Sequence, residues 1–189
     1  MKSLRVILGS ASPRRKEILG ELVPHFEVRV SDVDERCLLP VPTQYVMYTA
    51  AKKSLAIPIK EDELLVTADT IVCLGNRYLG KPTDQEDAKR MLLDLNHRVN
   101  TVYTGVCLRT ANRVDLFYEA SDVRIDMTEQ QIGDYVATGS PMDKAGAYGI
   151  QDPLLTATLL KGSIENVIGL PKDALKKHLA AFGIEENYV

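Results

Sequence analysis

The sequence contains no tryptophan and only three phenylalanines, and aromatic residues make up 6% of its 189 positions. A basic face studded with stacking side chains, the usual means of holding single-stranded nucleic acid, therefore has little to be built from. Positive charge is not in excess either. Against 26 Asp and Glu stand 23 Lys and Arg, a formal net charge of −3. Nucleic acid is thus not an expected partner, and any phosphate ligand must be met by local cations. Cysteine is scarce: Cys37, Cys73 and Cys107 are odd in number, widely spaced and in no metal-ligand pattern. They read as reduced thiols of a cytosolic protein rather than a disulfide framework. His25, His97 and His178 are equally scattered, which argues against a zinc site. No apolar run approaches membrane-spanning length, and no long apolar core follows Met1 as in a signal peptide. The expected location is the cytoplasm, with no membrane partner.

What is present is an ordinary globular composition, long enough for one domain over residues 1–189 with a substantial core and room for two lobes. Strand and helix signals alternate through the first half. Val6-Ile7-Leu8 reads as a strand, Ile18, Leu19 and Leu22 as the apolar stripe of a helix, and Phe26 to Val30 as a second strand. Apolar residues at helical spacing predict a helix from Thr43 to Ala56, ended by Pro58. Leu64-Leu65-Val66 is a buried strand delivering Ala68-Asp69-Thr70, and Ile71 to Leu74 continues extended. Gly75-Asn76 marks a turn from which Tyr78-Leu79 returns as a hairpin. Thr83-x-x-Glu86 and Thr128-x-x-Gln131 are expected capping boxes, each opening a helix. Alternation at Val102 to Leu108 and at Val123 to Met127 predicts two more strands, and Pro171 to Phe182 a last helix stopped by Gly183. The fold class is mixed α/β, with a long, twisted, partly antiparallel sheet.

The most informative stretch is Gly9-Ser10-Ala11-Ser12-Pro13-Arg14-Arg15-Lys16. Small residues make a turn between strand and helix, with Ser12 placed as N-cap and Pro13 as the first helical residue. Three cations then crowd the positive end of the helix dipole, where they cost about 0.3–1 kcal/mol each. An anion bound there would account for them, since free N–H groups at a helix start already favour phosphate. A basic turn whose side chains bend into water would look the same. Asp69 sits just past an apolar strand, where ligands gather in open α/β sheets; a carboxylate there can hold a hard cation or orient water, although a lone Asp is more often a turn cap. Asp34-Glu35 reads either as a solvated loop or as an acidic partner for magnesium.

Gly75-x-x-x-x-Gly80-Lys81-Pro82 nearly matches a Walker A loop, but Pro82 supplies neither the hydroxyl nor the N–H that the motif needs, and the match falls on a hairpin. Lys81 stays a candidate phosphate contact without the P-loop. Lys53, among apolar helical positions, is open between a snorkelling side chain and a site residue. In Asp143-Lys144-Ala145-Gly146-Ala147-Tyr148-Gly149-Ile150-Gln151, glycines let backbone approach a ligand, and Gln151 can donate and accept at once, as a base edge requires. A tight structural loop is the equal alternative.

Ser10-Ala11-Ser12-Pro13-Arg14-Arg15, Ala68-Asp69-Thr70, Leu79-Gly80-Lys81-Pro82, Asp143 to Gln151 and Asn166-Val167-Ile168-Gly169-Leu170-Pro171 occur in that order and span almost the whole chain. Together they resemble the Maf family of nucleoside triphosphate pyrophosphatases, named for a link to septum formation in bacteria. The resemblance implies an elongated α/β fold, similar to that of inosine triphosphate pyrophosphatases, with two lobes around a cleft. It further implies hydrolysis of a nucleoside triphosphate to monophosphate and pyrophosphate with Mg2+ or Mn2+, and a possible homodimer. By the same resemblance Asp69 matches the proton acceptor. Ser10, Arg14, Arg15, Lys53 and Lys81 match phosphate-contacting positions, and Glu35 (or Asp34), with Asp69, matches the metal site. Arg14, Thr70 and Gln151 match the specificity positions of the branch acting on dTTP and UTP. The alternatives are the same chemistry on methylated or deaminated purine triphosphates, and a non-catalytic nucleotide-binding regulator of cell division. The chain departs from the family pattern after Gln151, where Asp152-Pro153-Leu154-Leu155 replaces a small, Gly-rich run, and at Asn96-His97 and Asn100.

Overall fold

The computed structural model describes residues 4–30, 32–35 and 37–185. Its elements run β1 (Arg5–Leu8), α1 (Pro13–Leu22), β2 (Phe26–Val28), α2 (Pro42–Leu55), β3 (Glu63–Leu74), β4 (Arg77–Leu79), α3 (Gln85–Leu95), β5 (Val99–Arg109), β6 (Val114–Ile125), α4 (Glu129–Ala137), β7 (Ala157–Lys161), α5 (Ile164–Ile168) and α6 (Lys172–Ala180). The described residues form a seven-stranded sheet in the order β2-β1-β3-β5-β6-β7, with β4 paired to β3. β1 lies parallel to both β2 and β3, whereas β4 on β3 and β7 on β6 are antiparallel. The mixed α/β class and the partly antiparallel sheet are as the sequence led us to expect.

Contacts divide the chain into two compact units. One comprises Met1–Asp69, Thr104–Glu119 and Gly169–Val189, the other Thr70–Tyr103 and Ala120–Ile168. In the first, Ile7, Ile57 and Leu65 form a buried cluster. In the second, Leu92 and Leu95 of α3 pack with Ile132 and Tyr135 of α4 and with Val123 and Ile125 of β6. No helix among the described residues is long and apolar enough to cross a membrane.

Local chemistry explains most boundaries. Ser12 caps α1 by accepting the Arg15 N–H, with Pro13 in the first turn. Thr128 and Gln131 form the expected reciprocal capping box of α4. At α3 the expected box is displaced. Asp84, not Thr83, is the N-cap and accepts the Asp87 N–H at 2.8 Å, while Asp87 reaches back to the Thr83 N–H and hydroxyl. The cap is thus moved by one residue and the return bond falls on Thr83, before the cap, so the box is not reciprocal; an ionised carboxylate binds a helix N-terminus better than a hydroxyl. Asp84→Ala should therefore cost about 1 kcal/mol and Thr83→Ala clearly less, read from denaturation midpoints; equal losses would restore the threonine as cap.

Other expectations need correction. β2 stops at Val28 rather than Val30, and β7 and α5 were not anticipated. β3 is one continuous strand through Asp69, so this residue is not beyond the end of its own strand. It lies past the parallel pairing with β1, whose partner residues on β3 end at Val66.

β1 and β3 are tied at their first residues by charge. Glu63, fully buried at the start of β3, accepts from Arg5 at 2.8 Å and from Arg29 at 2.9 and 3.2 Å, and also from the Lys60 N–H at 2.9 Å. Sequence reading passed over these residues. The available signal was a charge placed just before each of two apolar runs, which parallel pairing sets opposite one another as Arg5 and Glu63.

Candidate active site

The first unit gathers most of the expected site around one ammonium group. Lys53, in the last turn of α2, donates to Asp69 Oδ1 at 2.9 Å and lies 3.1 Å from Glu35 Oε1. Its side chain is 15% exposed, so the snorkelling alternative is ruled out. Thr67 fixes the spacing between α2 and β3 by donating its hydroxyl to Ala50 O at 2.7 Å. The strand thus carries Asp69 to the end of the lysine's reach. Asp69 is 8% exposed, which makes it a paired, enclosed carboxylate rather than a turn cap.

The basic turn belongs to the same cluster. Gly9 continues β1 by donating to Val66 O at 2.8 Å, and a Cβ there would come within 2.5 Å of the Thr67 methyl, so the close approach of loop to strand requires glycine. Ser10 is then buried, its hydroxyl accepting the Ser12 N–H at 3.2 Å. Arg15 donates Nε–H to Gly169 O at 2.8 Å, which ties the head of α1 to the segment leading into α6. Burial lowers the pKa of the Arg15 guanidinium; Asp69 and Glu35 oppose that shift and Arg14 adds to it. Two carboxylates and two further cations thus act on one another at this end of the unit. Arg14 is half-buried, and Asp34 adjoins Glu35 on the acidic segment.

Among the described residues no group of three or more His, Cys, Asp or Glu side chains converges as a metal cage. Two carboxylates meeting at one cation do fit Mg2+ or Mn2+, hard ions usually held by one or two protein carboxylates and completed by substrate phosphates.

Thr70, Lys81 and Gln151 fall in the second unit. Lys81 is exposed, and the Gly75 to Pro82 match does fall on the β3–β4 hairpin as expected. The preceding Gly80 carbonyl accepts the Gly146 N–H at 3.0 Å, which joins two of the sequence motifs through backbone. Gly146 has φ +69, and a Cβ there would lie 2.9 Å from Val72 of β3, so only glycine fits. Asn166 of the last motif is buried and holds Val102 O and the Ser121 hydroxyl; its part is structural. Gln151 is exposed at a turn, and the next residue, Asp152, is held in a network not foreseen from sequence, with Tyr135, Ser140 and Lys144 around it.

A family model described as "Maf-like protein" matches residues 5–182. The chain belongs to the Maf family. Among similar curated proteins, a dTTP/UTP pyrophosphatase of Bacillus cereus (strain AH187) is 38% identical over 97% of this chain and 98% of its own length. Another protein of that name, from Anaeromyxobacter dehalogenans (strain 2CP-C), is 43% identical over 88% of each. Among solved structures, a HAM1 protein from Coxiella burnetii shares the fold, with a TM-score of 0.50 over 95% of this chain and 98% of that one at 13% identity. The family match runs through both units and includes every candidate site residue.

Proposed function

We propose that this Maf-family protein hydrolyses dTTP, UTP and modified pyrimidine nucleoside triphosphates to the monophosphate and pyrophosphate. The observation that carries the reading is the meeting of Asp69, Glu35 and Lys53 beside Arg15 and Ser10, in a chain 38–43% identical to proteins named dTTP/UTP pyrophosphatase. Attack of water on the α-phosphorus forms a P–O bond and breaks the bond to the β-phosphate. Negative charge then grows on the non-bridging oxygens and on the departing pyrophosphate. Arg14, Arg15, Lys53 and Lys81 neutralise that charge, and Ser10 adds a hydroxyl donor; groups oriented before reaction give the largest catalytic term. Asp69 accepts the proton of the attacking water, its Oδ1 oriented by Lys53. Asp69 and Glu35, with Asp34 adjoining, would hold Mg2+ or Mn2+, which when bound adds positive charge at the phosphate oxygens.

Thr70, Gln151 and Arg14 select the base. Gln151 offers one donor and one acceptor, which matches the adjoining carbonyl and imide N–H of thymine or uracil. The three cysteines are free thiols, in keeping with work on a cytosolic nucleotide pool. The test is a panel of pyrimidine, purine and methylated purine triphosphates scored by pyrophosphate release, with and without Mg2+. The expected result is pyrophosphate and monophosphate in equal amounts, fastest with dTTP and UTP and dependent on the metal. Purine preference would overturn the role given to Gln151, and binding without turnover would point to a regulator.

A further inference from the structure

The segment after Tyr148 is closed into a ring by three hydrogen bonds. Gly149 donates its N–H to the Tyr135 hydroxyl at 3.0 Å, and that hydroxyl donates to Asp152 Oδ2 at 2.6 Å. Asp152 in turn donates its backbone N–H to Gly149 O at 2.9 Å. A turn of four residues is therefore clasped at both ends by one tyrosine–carboxylate pair, with Ile150 and Gln151 at its two central positions. Tyr135 is buried on α4, whose start is set by the capping box and whose apolar face packs into the core of this unit. The far side of the carboxylate is equally well held. The Ser140 hydroxyl donates to Asp152 Oδ2 at 2.7 Å, and Lys144 lies 3.7 Å away while donating to Ser140 O at 2.6 Å. The side chains of Lys144 and Asp152 are only 10% and 15% exposed. Gly149 leaves no slack, since a Cβ there would lie 2.7 Å from Lys144 Cε and 3.0 Å from Asp152 Oδ2.

So many satisfied polar groups behind one exposed glutamine are more than a loop of this size needs in order to close, because the single Asp152-to-Gly149 backbone bond already makes the turn. The additional bonds remove freedom from the turn's two central residues. A side chain that discriminates between bases by hydrogen bonds does so better when the backbone that carries it is fixed before the base arrives, since less freedom is then lost on binding.

We propose that Tyr135 and Asp152 form a clamp that positions Gln151, and that the clamp sets the base selectivity of this chain. The inference rests on the pyrimidine reading of Gln151 given above. Tyr135 and Asp152 are positioning residues and do not touch the substrate.

Tyr135→Phe removes the bridging hydroxyl and keeps the ring in its packing, and Asp152→Asn is the conservative partner, retaining an acceptor for Tyr135 and Ser140. Amide hydrogen exchange of residues 149–152 and the ratio of kcat/KM for dTTP to that for dGTP are measured in wild type, Tyr135→Phe, Asp152→Asn and Gln151→Ala, and in the Tyr135→Phe/Gln151→Ala double variant. Tyr135→Phe should speed exchange in the turn and lower the dTTP:dGTP ratio about tenfold, mostly through KM, as expected when a placed polar contact is lost. Asp152→Asn should keep most of the selectivity. In the Gln151→Ala background, Tyr135→Phe should change the ratio no further. Unchanged exchange would overturn the clamp itself. Faster exchange with an unchanged ratio, or an equal effect of Tyr135→Phe with and without Gln151, would overturn its role in selectivity. Wild-type protein that does not favour dTTP, or Gln151→Ala without effect, would remove the pyrimidine reading and the selectivity role with it, while exchange still decides whether the clamp exists.

Discussion

Asp69→Asn reduces pyrophosphate release about a thousandfold or more while the protein stays folded. The expected size is that of losing a positioned general base, enlarged where the same carboxylate also carries the metal. Asparagine fills the same volume and keeps an oxygen that can accept from Lys53, so the 2.9 Å contact has a substitute. What is lost is the negative charge and the capacity to take a proton. Stability should change little. Glu35 remains beside Lys53 at 3.1 Å, and the packing of β3 does not depend on the charge. Arg15 loses one of the two carboxylates that offset its burial, which should lower the melting temperature by no more than a few degrees. The check is a paired measurement of pyrophosphate release and thermal unfolding. Full activity in the folded variant would overturn the role of Asp69, and an unfolded variant would show that the carboxylate is structural.

Glu63→Ala should lower the melting temperature by about 10 °C, the expected cost of leaving buried charged partners without their counter-ion. Glu63 is fully buried and holds two guanidinium groups and a backbone N–H from three separate segments. Removing it leaves Arg29 with Glu27 and the Pro58 carbonyl, and Arg5 with Asp62. The site should suffer indirectly, because β2 and Arg29 lead into the segment that carries Asp34 and Glu35. The pH dependence follows from the hydrogen bond of Arg29 to Glu63, which, with the Lys60 N–H, holds the Glu63 carboxyl down to about 2 from an ordinary 4.5. A depressed carboxylate pKa contributes stability that is complete above the unfolded value and is lost as pH falls toward the folded one. Wild-type stability should therefore fall between about pH 4.5 and 2, and Glu63→Ala should show a shallower fall over that interval in pH-resolved melting curves. Parallel curves would mean that Glu63 does not govern acid stability.

How far the site could be read from sequence differs from residue to residue. The head of α1 was fully legible, because a cap is chemistry between neighbours: Ser12 and Arg15 are three residues apart, and Pro13 carries its own φ. The β3–β4 hairpin and the α4 capping box were legible for the same reason. The α3 cap was readable in kind and wrong by one position, since Thr83 and Asp84 are adjacent and both are good caps; which one turns inward depends on how the helix packs. β7 and α5 were missed because they are short and their patterns weak, and they form where β6 and Ser121 offer partners.

Lys53 shows most clearly where local pattern ends. Helical spacing gave its face and left open whether it meets water or a carboxylate. The answer depends on Asp69, 16 residues later on another element, and no periodicity encodes that meeting. Asp152 was visible only as a departure from a family pattern, without a role, because Tyr135 and Ser140 come to it from a different helix and turn.

The sequence by itself determined the mixed α/β class, the anion-ready helix start and the residue types that phosphate chemistry needs, because each of these is local backbone preference or the ordered motifs of a family. Only the tertiary structure decided which charges pair. Asp69 and Glu35 share Lys53, Glu63 holds Arg5 and Arg29, and Asp152 clasps the turn under Gln151. Pairing of buried charge is settled by distances between residues far apart in the chain, and those distances exist only once the sheet and helices have packed.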